Sequence, residues 1–469
     1  MAETKNNFEE TENIDISVNE EHAYSLPDET FREIMLWLDE NEHQKILRAC
    51  SDLHDSDIAE LLEKSRHEDR QELIDVLGDT LESSVFSFLE NDVRTKILKS
   101  MSSYQVARII SELDSDDALD LLEGLEEERY QDILRNLSYR MRVVLEEGLT
   151  FPEDSAGRLM QREIVAIPQF WTVGKTVDYL RAAGDTLPHE FYDIFVVDPM
   201  HHVVGEVALS KLLQSKRSLK IDTLIKEDVH SIPSNQDQEE VAFLFRRQGI
   251  VSAPVVDENN RLIGAITVDD VVNVIDEEAE EDFLKLGGVT NTDIYRAVLS
   301  TAKSRFSWLA VNLLTAIAAS VVISFFEGTI KEIVALAVLM PIVASMGGNA
   351  GTQTLTVAVR ALATKDLSSS NALRVVSKEL MVGIINGILF AMIMGGLTWW
   401  WFDNQMLGGV IAMAMVVNLV VAGLAGVIIP LGLNKAGADP ALSSAVFLTT
   451  ITDILGFFAF LGLAAWLLL

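Results

Sequence analysis

The chain has 469 residues, 37 of them Lys or Arg and 71 Asp or Glu, for a formal net charge of −34, yet 49% are hydrophobic. So acidic a chain is a poor partner for nucleic acid, which is bound by Lys and Arg neutralising phosphate, and anionic headgroups repel it. Its single cysteine, Cys50, excludes an intrachain disulfide framework and a cysteine-based zinc site within one chain.

The charge is not spread evenly. From Lys303 onward eight basic residues meet seven acidic ones, so the acidic excess lies before that point. Residues 1–24 read as a disordered acidic tail. They lack the apolar stretch of a signal peptide, which leaves the acidic half in the cytosol. Residues 25–150 carry apolar positions at helical spacing and form the first domain. Leu53–Leu77 aligns with Leu113–Leu137 at an offset of 60, with eight of 25 positions identical, including Asp57/Asp117 and Leu61/Leu121. Stacked helix pairs would bury that leucine face and leave the carboxylates in water.

A second repeat has β character. Asp193–Leu213 matches Ser252–Val272 at an offset of 59: Val-Val-Asp, a turn, a strand containing Gly205 or Gly264, then a helix start. This pattern resembles a tandem pair of CBS domains, over 151–219 and 220–279. In such domains a Thr and an Asp after the glycine strand contact a nucleotide. Thr267 and Asp270 match in the second copy, whereas Ala208 and Lys211 stand in the first, so at most one half-site for ATP remains. His201 and His202 fall in a turn, where solvent exposure outweighs metal ligation. The segment 280–304 is expected to be a connecting helix. Six acidic residues crowd its approach (Asp276, Glu277, Glu278, Glu280, Glu281 and Asp282), and a divalent cation would relieve their repulsion.

Five long, nearly charge-free runs follow in 305–469: Phe306–Phe326, Ile333–Val359, Leu380–Phe402, Asn404–Asn434 and Pro440–Leu469. Each reaches the ~20 residues that cross a bilayer as a helix. Arg360, Lys365, Arg374, Lys378 and Lys435 fall in loops on one side and only Lys331 on the other. The positive-inside rule then puts the N-terminus and the CBS pair in the cytosol and the C-terminus outside. Trp399, Trp400 and Trp401 fit the outer interface.

Asp453 is the formal charge inside the last run, with no Lys or Arg inside any run to pair it. A carboxylate near mid-membrane costs at least ~2.5 kcal/mol and marks an ion path. Thr449, Thr450 and Thr452 add hydroxyls that suit a hard cation. The second run carries PIVASMGGNAGTQ (Pro341–Gln353). Gly347 and Gly351 form a close-packing face, and Pro341 with Asn349, Thr352 and Gln353 predicts a loosened helix lining a pore.

Pro341–Gln353, DPALSSA (Asp439–Ala445), TTITDILG (Thr449–Gly456) and EDSAGRLM (Glu153–Met160), in this order of modules, resemble the MgtE family of magnesium channels. The resemblance spans about Pro27 to Leu469. It implies a multi-domain chain: a cytosolic α-helical superhelical N-domain, tandem α/β CBS domains, a connecting helix and a five-helix transmembrane domain. It also implies a homodimer in the cytoplasmic membrane whose pore is lined by the second and fifth spans. Mg²⁺ would be both the transported ion and the regulator that closes the pore from the cytosol. Asp453, Thr449 and Asn349 would hold the permeating ion. Regulatory Mg²⁺ would bind Asp116 and Asp120, then Asp270, Glu278, Glu281 and Asp282, and Asp439 would help hold the closed mouth. Asn273 stands where the family can have an acid, which weakens one site. No nucleophile–base set or complete ATPase loop points to an enzyme. The alternatives are a secondary divalent-cation transporter or exporter (Mg²⁺/Co²⁺) and a sensor merely anchored by its spans; oxygen ligands alone do not separate Mg²⁺ from Co²⁺, Ni²⁺ or Mn²⁺.

Overall fold

The computed structural model describes residues 25–184, 187–188, 191–226, 228–289, 298–368 and 370–469. The acidic tail 1–24 and residues 290–297 of the expected connecting helix lie outside them. The fold divides into two units: Met1–Val241 with Ile250–Val268, and Ala242–Gly249 with Asp269–Leu469.

The first unit opens with short amphipathic helices: α1 (Asp28–Asp39), α2 (His43–Cys50), α3 (Asp55–Lys64), α4 (His67–Leu77), α5 (Asn91–Ser100), α6 (Ser103–Glu112), α7 (Ser115–Glu123), α8 (Glu127–Asn136) and α9 (Tyr139–Gly148). Side-chain caps fix several starts: His54 with Asp57 on α3, Ser102 with Gln105 on α6, and Ser138 on α9. The offset of 60 superposes α3–α4 on α7–α8. Leu61, Leu62, Leu73, Ile74 and Leu77 are buried, as are Leu121, Leu122, Ile133, Leu134 and Leu137. One core thus runs through the stacked pairs. The repeated carboxylates are not all in water: burial pushes the Asp117 carboxyl above its ordinary range. Cys50 lies in the same core, where burial pushes its thiol up to about 11.

A short helix α10 (Ala156–Leu159) leads into two matching sheets. The first holds β1 (Ala166–Pro168), β2 (Asp193–Val197) and β3 (Val203–Ala208), with α11 (Val173–Ala183) after β1 and α12 (Leu209–Gln214) after β3. The second holds β4 (Ile232–Pro233), β5 (Ser252–Val256) and β6 (Leu262–Thr267), with α13 (Gln238–Gln248) between β4 and β5. Each sheet pairs its first two strands in parallel and its last two antiparallel, with a register shift at Val196/Val197 and again at Val255/Val256. The sequence offset of 59 reproduces the whole pairing: Val196 faces Gly205, and Val255 faces Gly264. A Cβ at Gly205 would strike Ile225 and the Lys226 carbonyl; one at Gly264 would strike Met160 and the Gln161 carbonyl. Each glycine therefore admits an incoming backbone segment. Phe195 and Val197 of one sheet share a core with Leu262 and Ala265 of the other.

The second unit contains α14 (Val268–Leu286) from Asp269 on, then α15 (Val298–Ser324), α16 (Glu327–Glu332), α17 (Ala335–Ala363), α18 (Ala372–Phe402), α19 (Gln405–Lys435) and α20 (Pro440–Leu468). The acidic run at Asp276–Asp282 is continuous helix, with Glu281 paired to Lys285 one turn on. Five of these helices are long and apolar enough to cross a membrane. Their limits differ from the apolar runs because a helix need not stop where its side chains turn polar. Thus α18 begins at Ala372, not Leu380, and takes Arg374, Lys378 and Glu379 into its first turns. The α19 helix is central and packs on α17, α18 and α20. Gly383, Gly387 and Gly395 bring α18 against the α19 backbone at Leu419, Val416 and Gly408. A left-handed Asp403 and an Asn404 cap make the tight turn between α18 and α19. Trp399, Trp400 and Trp401 are exposed beside it.

Arg70 is buried, and its guanidinium donates to the carbonyls of Leu62 (2.6 Å), Ser65 (2.9 Å) and Glu63 (3.2 Å), closing the α3–α4 turn. Arg70→Met should destabilise the helical domain by about 2–3 kcal/mol, because it leaves buried carbonyls without their donor. Denaturant unfolding followed by hydrogen exchange in α3 and α4 measures this; the exposed Arg48→Met should change it little.

Candidate functional site

The α17 helix has two faces of different chemistry. Val343, Gly347, Gly351, Leu355 and Ala358 are buried. Gly351 meets Leu448 of α20, and Gly347 meets Asn418 of α19. On the other face Ser345, Asn349, Thr352 and Thr356 are exposed, at intervals of four, three and four residues. They form one polar stripe along a helix of membrane-crossing length. The Asn349 amide donates to the Ser345 hydroxyl (3.5 Å), and the Thr352 and Thr356 hydroxyls donate to the Gly348 and Thr352 carbonyls (2.9 Å each).

The loosened helix expected at Pro341 is not found. The α17 helix runs unbroken from Ala335 to Ala363 with Pro341 inside it. Pro341 lies within two turns of the start, where only the Ala337 carbonyl loses its donor. The oxygens on this face therefore come from side chains, not from unwound backbone.

Asp453 lies on α20, half-buried, and forms no hydrogen bond or ion pair with a described residue. Thr449 is one helical turn away on the same side. Its hydroxyl donates to the Ala445 and Val446 carbonyls (3.1 Å each), which leaves the oxygen lone pairs free to accept. The Thr450 hydroxyl donates likewise to Val446 (2.6 Å). Thr452 departs from the expected set: it is fully buried and bonded to the Leu448 carbonyl (3.0 Å), so it offers nothing to an ion beside Asp453. Three residues carry features that the motif reading missed. Ser345 and Thr356 extend the stripe, and their spacing could have revealed them. Asn418 is buried in the fourth span and gives no periodic signal.

The N-terminal end of α20 is fixed by Asp439, whose carboxylate does two things. Oδ1 accepts the Ala441 backbone N–H (2.8 Å) and caps the helix; Oδ2 pairs with the Lys285 ammonium (2.8 Å). Lys285 also pairs with Glu281 (2.6 Å). The neighbouring Leu286 packs against Leu355, Val359, Ala425, Ala441 and Leu448. Burial would lower the Lys285 pKa, but the bonds to Asp439 and Glu281 outweigh it and hold the ammonium above its ordinary value. Burial pushes the Asp282 carboxyl up, Asp439 and Glu281 add to the rise, and Lys285 opposes it.

The expected regulatory residues are placed as follows. Asp270 and Glu278 are half-buried and Asn273 is exposed, all on α14. Asp116 and Asp120 lie on α7 in the first unit, and Asp120 is paired with Arg94 (2.6 Å). Among the described residues no three His, Cys, Asp or Glu side chains form a set able to hold a metal. Around Asp439 the partner is the tethered Lys285 ammonium instead. Of the nucleotide candidates, Thr267 ends β6 and Asp270 sits in the first turn of α14. In the first copy the Lys211 ammonium donates to the Leu224 carbonyl (3.1 Å), a structural use. His202 pairs with Asp198 (3.0 Å) within the β2–β3 turn.

Three family models match: "MgtE intracellular N domain" over residues 53–154, "CBS domain" over 221–277, and MgtE, "Divalent cation transporter", over 340–463. The chain is similar to the magnesium transporter MgtE of Bacillus subtilis (strain 168), at 30% identity over 93% of this chain and 97% of that one. It is also similar to the magnesium transporter MgtE of Thermus thermophilus, at 31% identity over 92% and 97%. A solved structure of the cytosolic domain of the Mg²⁺ channel MgtE in complex with ATP matches 52% of this chain and 99% of that one, at 29% identity and a TM-score of 0.49.

The Asp439–Lys285 pair has a direct structural test. Lys285→Met should speed amide exchange in the last turns of α14 by about three- to tenfold and leave α19 unchanged. With its pKa raised on folding, Lys285 contributes at every pH below the ordinary lysine range, and that contribution fades as pH rises through the raised value.

Proposed function

We propose that this chain, which belongs to the MgtE family of magnesium transporters, works as a homodimeric Mg²⁺-gated channel that imports Mg²⁺ across the cytoplasmic membrane. The observation that carries this reading is the polar stripe of α17 together with Asp453 of α20, which pairs with no described residue. Neither belongs against lipid: a carboxylate is costly there, and the lone pairs and amide that the stripe still offers would find no water to bond. A second copy facing the first would turn both into the wall of a water-filled path, with one Asp453 from each chain. The positive-inside rule supports a cytosolic N-terminus and an external C-terminus.

The chemistry suits Mg²⁺. This ion sheds water reluctantly, so two carboxylates would hold a largely hydrated ion, with Thr449 and Asn349 oxygens accepting from its waters. An inside-negative potential drives a divalent ion inward by about 4.6 kcal/mol per 100 mV, at ~2.3 kcal/mol per charge, so no coupled ion is needed.

Gating is assigned to α14 and the mouth of α20. Glu278, Glu281 and Asp282 lie together on α14, and the Asp282 carboxyl is pushed up chiefly by burial, with repulsion from Asp439 and Glu281 adding to the rise. A divalent cation bound there offsets the repulsion and holds α14 on the mouth. It shifts the equilibrium only as far as it prefers that arrangement. Asp116, Asp120 and Asp270 are proposed as further regulatory ligands, and Thr267 with Asp270 as a half-site for ATP.

Purified protein in liposomes tests both parts. Asp453→Ala should cut Mg²⁺ flux at least about 100-fold while inserting normally, since removing a charge favours insertion. Flux should follow voltage and ignore Na⁺ and H⁺ gradients; dependence on either gradient would make the protein a coupled transporter. Joint neutralisation of Glu278, Glu281 and Asp282 should raise the Mg²⁺ level for closure several-fold without lowering peak flux. Closure at the wild-type level would place the sensor elsewhere.

A further inference from the structure

Asn418 is a polar residue in the middle of α19, 1% exposed. Its Nδ2 donates to the Val343 carbonyl of α17 (2.7 Å), while its Oδ1 is buried with no hydrogen-bond partner among the described residues. The same side chain fills the space over two glycines. A Cβ built on Gly347 of α17 would meet three Asn418 atoms before any other, and a Cβ built on Gly456 of α20 would meet the same three at 3.0–3.1 Å. Asn418 is thus a wedge between the two helices that carry Asn349 and Asp453. Gly347 precedes Asn349 by two residues, and Gly456 follows Asp453 by three.

Packing alone does not explain this choice. A leucine has the same branched skeleton of four side-chain heavy atoms, though it is bulkier, buries no polar atom and is ordinary in a membrane core, whereas a half-satisfied amide in low dielectric is costly. What the amide adds is a directed bond to one carbonyl of α17, which fixes where along that helix α19 sits. Small shifts of groups that face a reacting or permeating species have large effects on rate.

We propose that Asn418 is a positioning residue for permeation: it sets the separation and register of α17 and α20, and thereby the distance across which Asn349 and Asp453 face an ion. This rests on the assignment of those two residues to the ion's path. An ion with a tightly held water shell is more sensitive to that distance than one that exchanges waters readily. Asn418 should therefore tune the ratio of Mg²⁺ to Co²⁺ flux, and not only its size.

The test is flux of each ion through purified protein in liposomes, with thermal stability measured alongside. Asn418→Leu, a larger side chain against Gly347 and Gly456, should still fold and should change the Mg²⁺:Co²⁺ flux ratio by about threefold or more. An unchanged ratio, whether flux is intact or uniformly reduced, overturns the proposal. If Asn418→Leu does not fold, glycine variants carry the test. Gly347→Ala pushes a methyl into the amide and should alter the ratio, whereas Gly409→Ala on α19, where a Cβ meets nothing within 4 Å, should leave it unchanged. A wild-type ratio in Gly347→Ala overturns the proposal as well. Asp453→Ala is measured in parallel: if it conducts normally, the assignment of the ion path fails, whereas a dead Asp453→Ala beside an indifferent Asn418→Leu rejects only the role of Asn418.

Discussion

Hydrocarbon offers no hydrogen bonds, so each polar group on a membrane helix must find a partner within the protein or face a cavity. The second unit is arranged around that constraint. From Ser345 to Thr356, α17 presents small or branched apolar atoms to α19 and α20 on one side and a hydroxyl or amide on the other. The glycines of the buried side let the helices approach, and close approach is what turns the polar side outward as a single stripe. Asp453 then stands on α20 without a counter-charge among the described residues. A basic residue within reach would have made it a structural ion pair and closed the route to a cation.

Much of this was legible from the chain alone, because the relevant signals are periodic. An offset of 60 locates two helix pairs, and an offset of 59 gives two sheets down to the paired glycines and the position of the register shift. Apolar length located five spans, although their ends moved where charged side chains such as Lys378 and Glu379 stay helical. What could not be read were properties of pairs that are distant in sequence. Asn418 meets Val343 across 75 residues, and Lys285 meets Asp439 across a longer stretch. Nothing in either neighbourhood announces the other. The misjudged loosening at Pro341 has a similar origin: a proline breaks a helix according to how many turns precede it, and that number depends on where the helix begins.

Asp439 links α14 and α20 with one side chain. Because its two oxygens serve different partners, the cap on α20 does not depend on Lys285 being present, while the hold on α14 does. The start of α20 therefore joins a backbone cap to a side-chain ion pair. The ion pair is partly solvated, so salt screens it in a way that it does not screen the apolar seat of Leu286.

Cys50 has a practical consequence of its own. It is the only thiol in the sequence, and with its pKa pushed up to about 11 only about one molecule in a thousand carries the thiolate near pH 8. Thiol reagents thus find the native chain almost silent. A cysteine introduced along the α17 stripe or at the turn beside Trp401 would report its own accessibility, spin label or crosslink against that background, with no need to strip the chain of its natural thiol first.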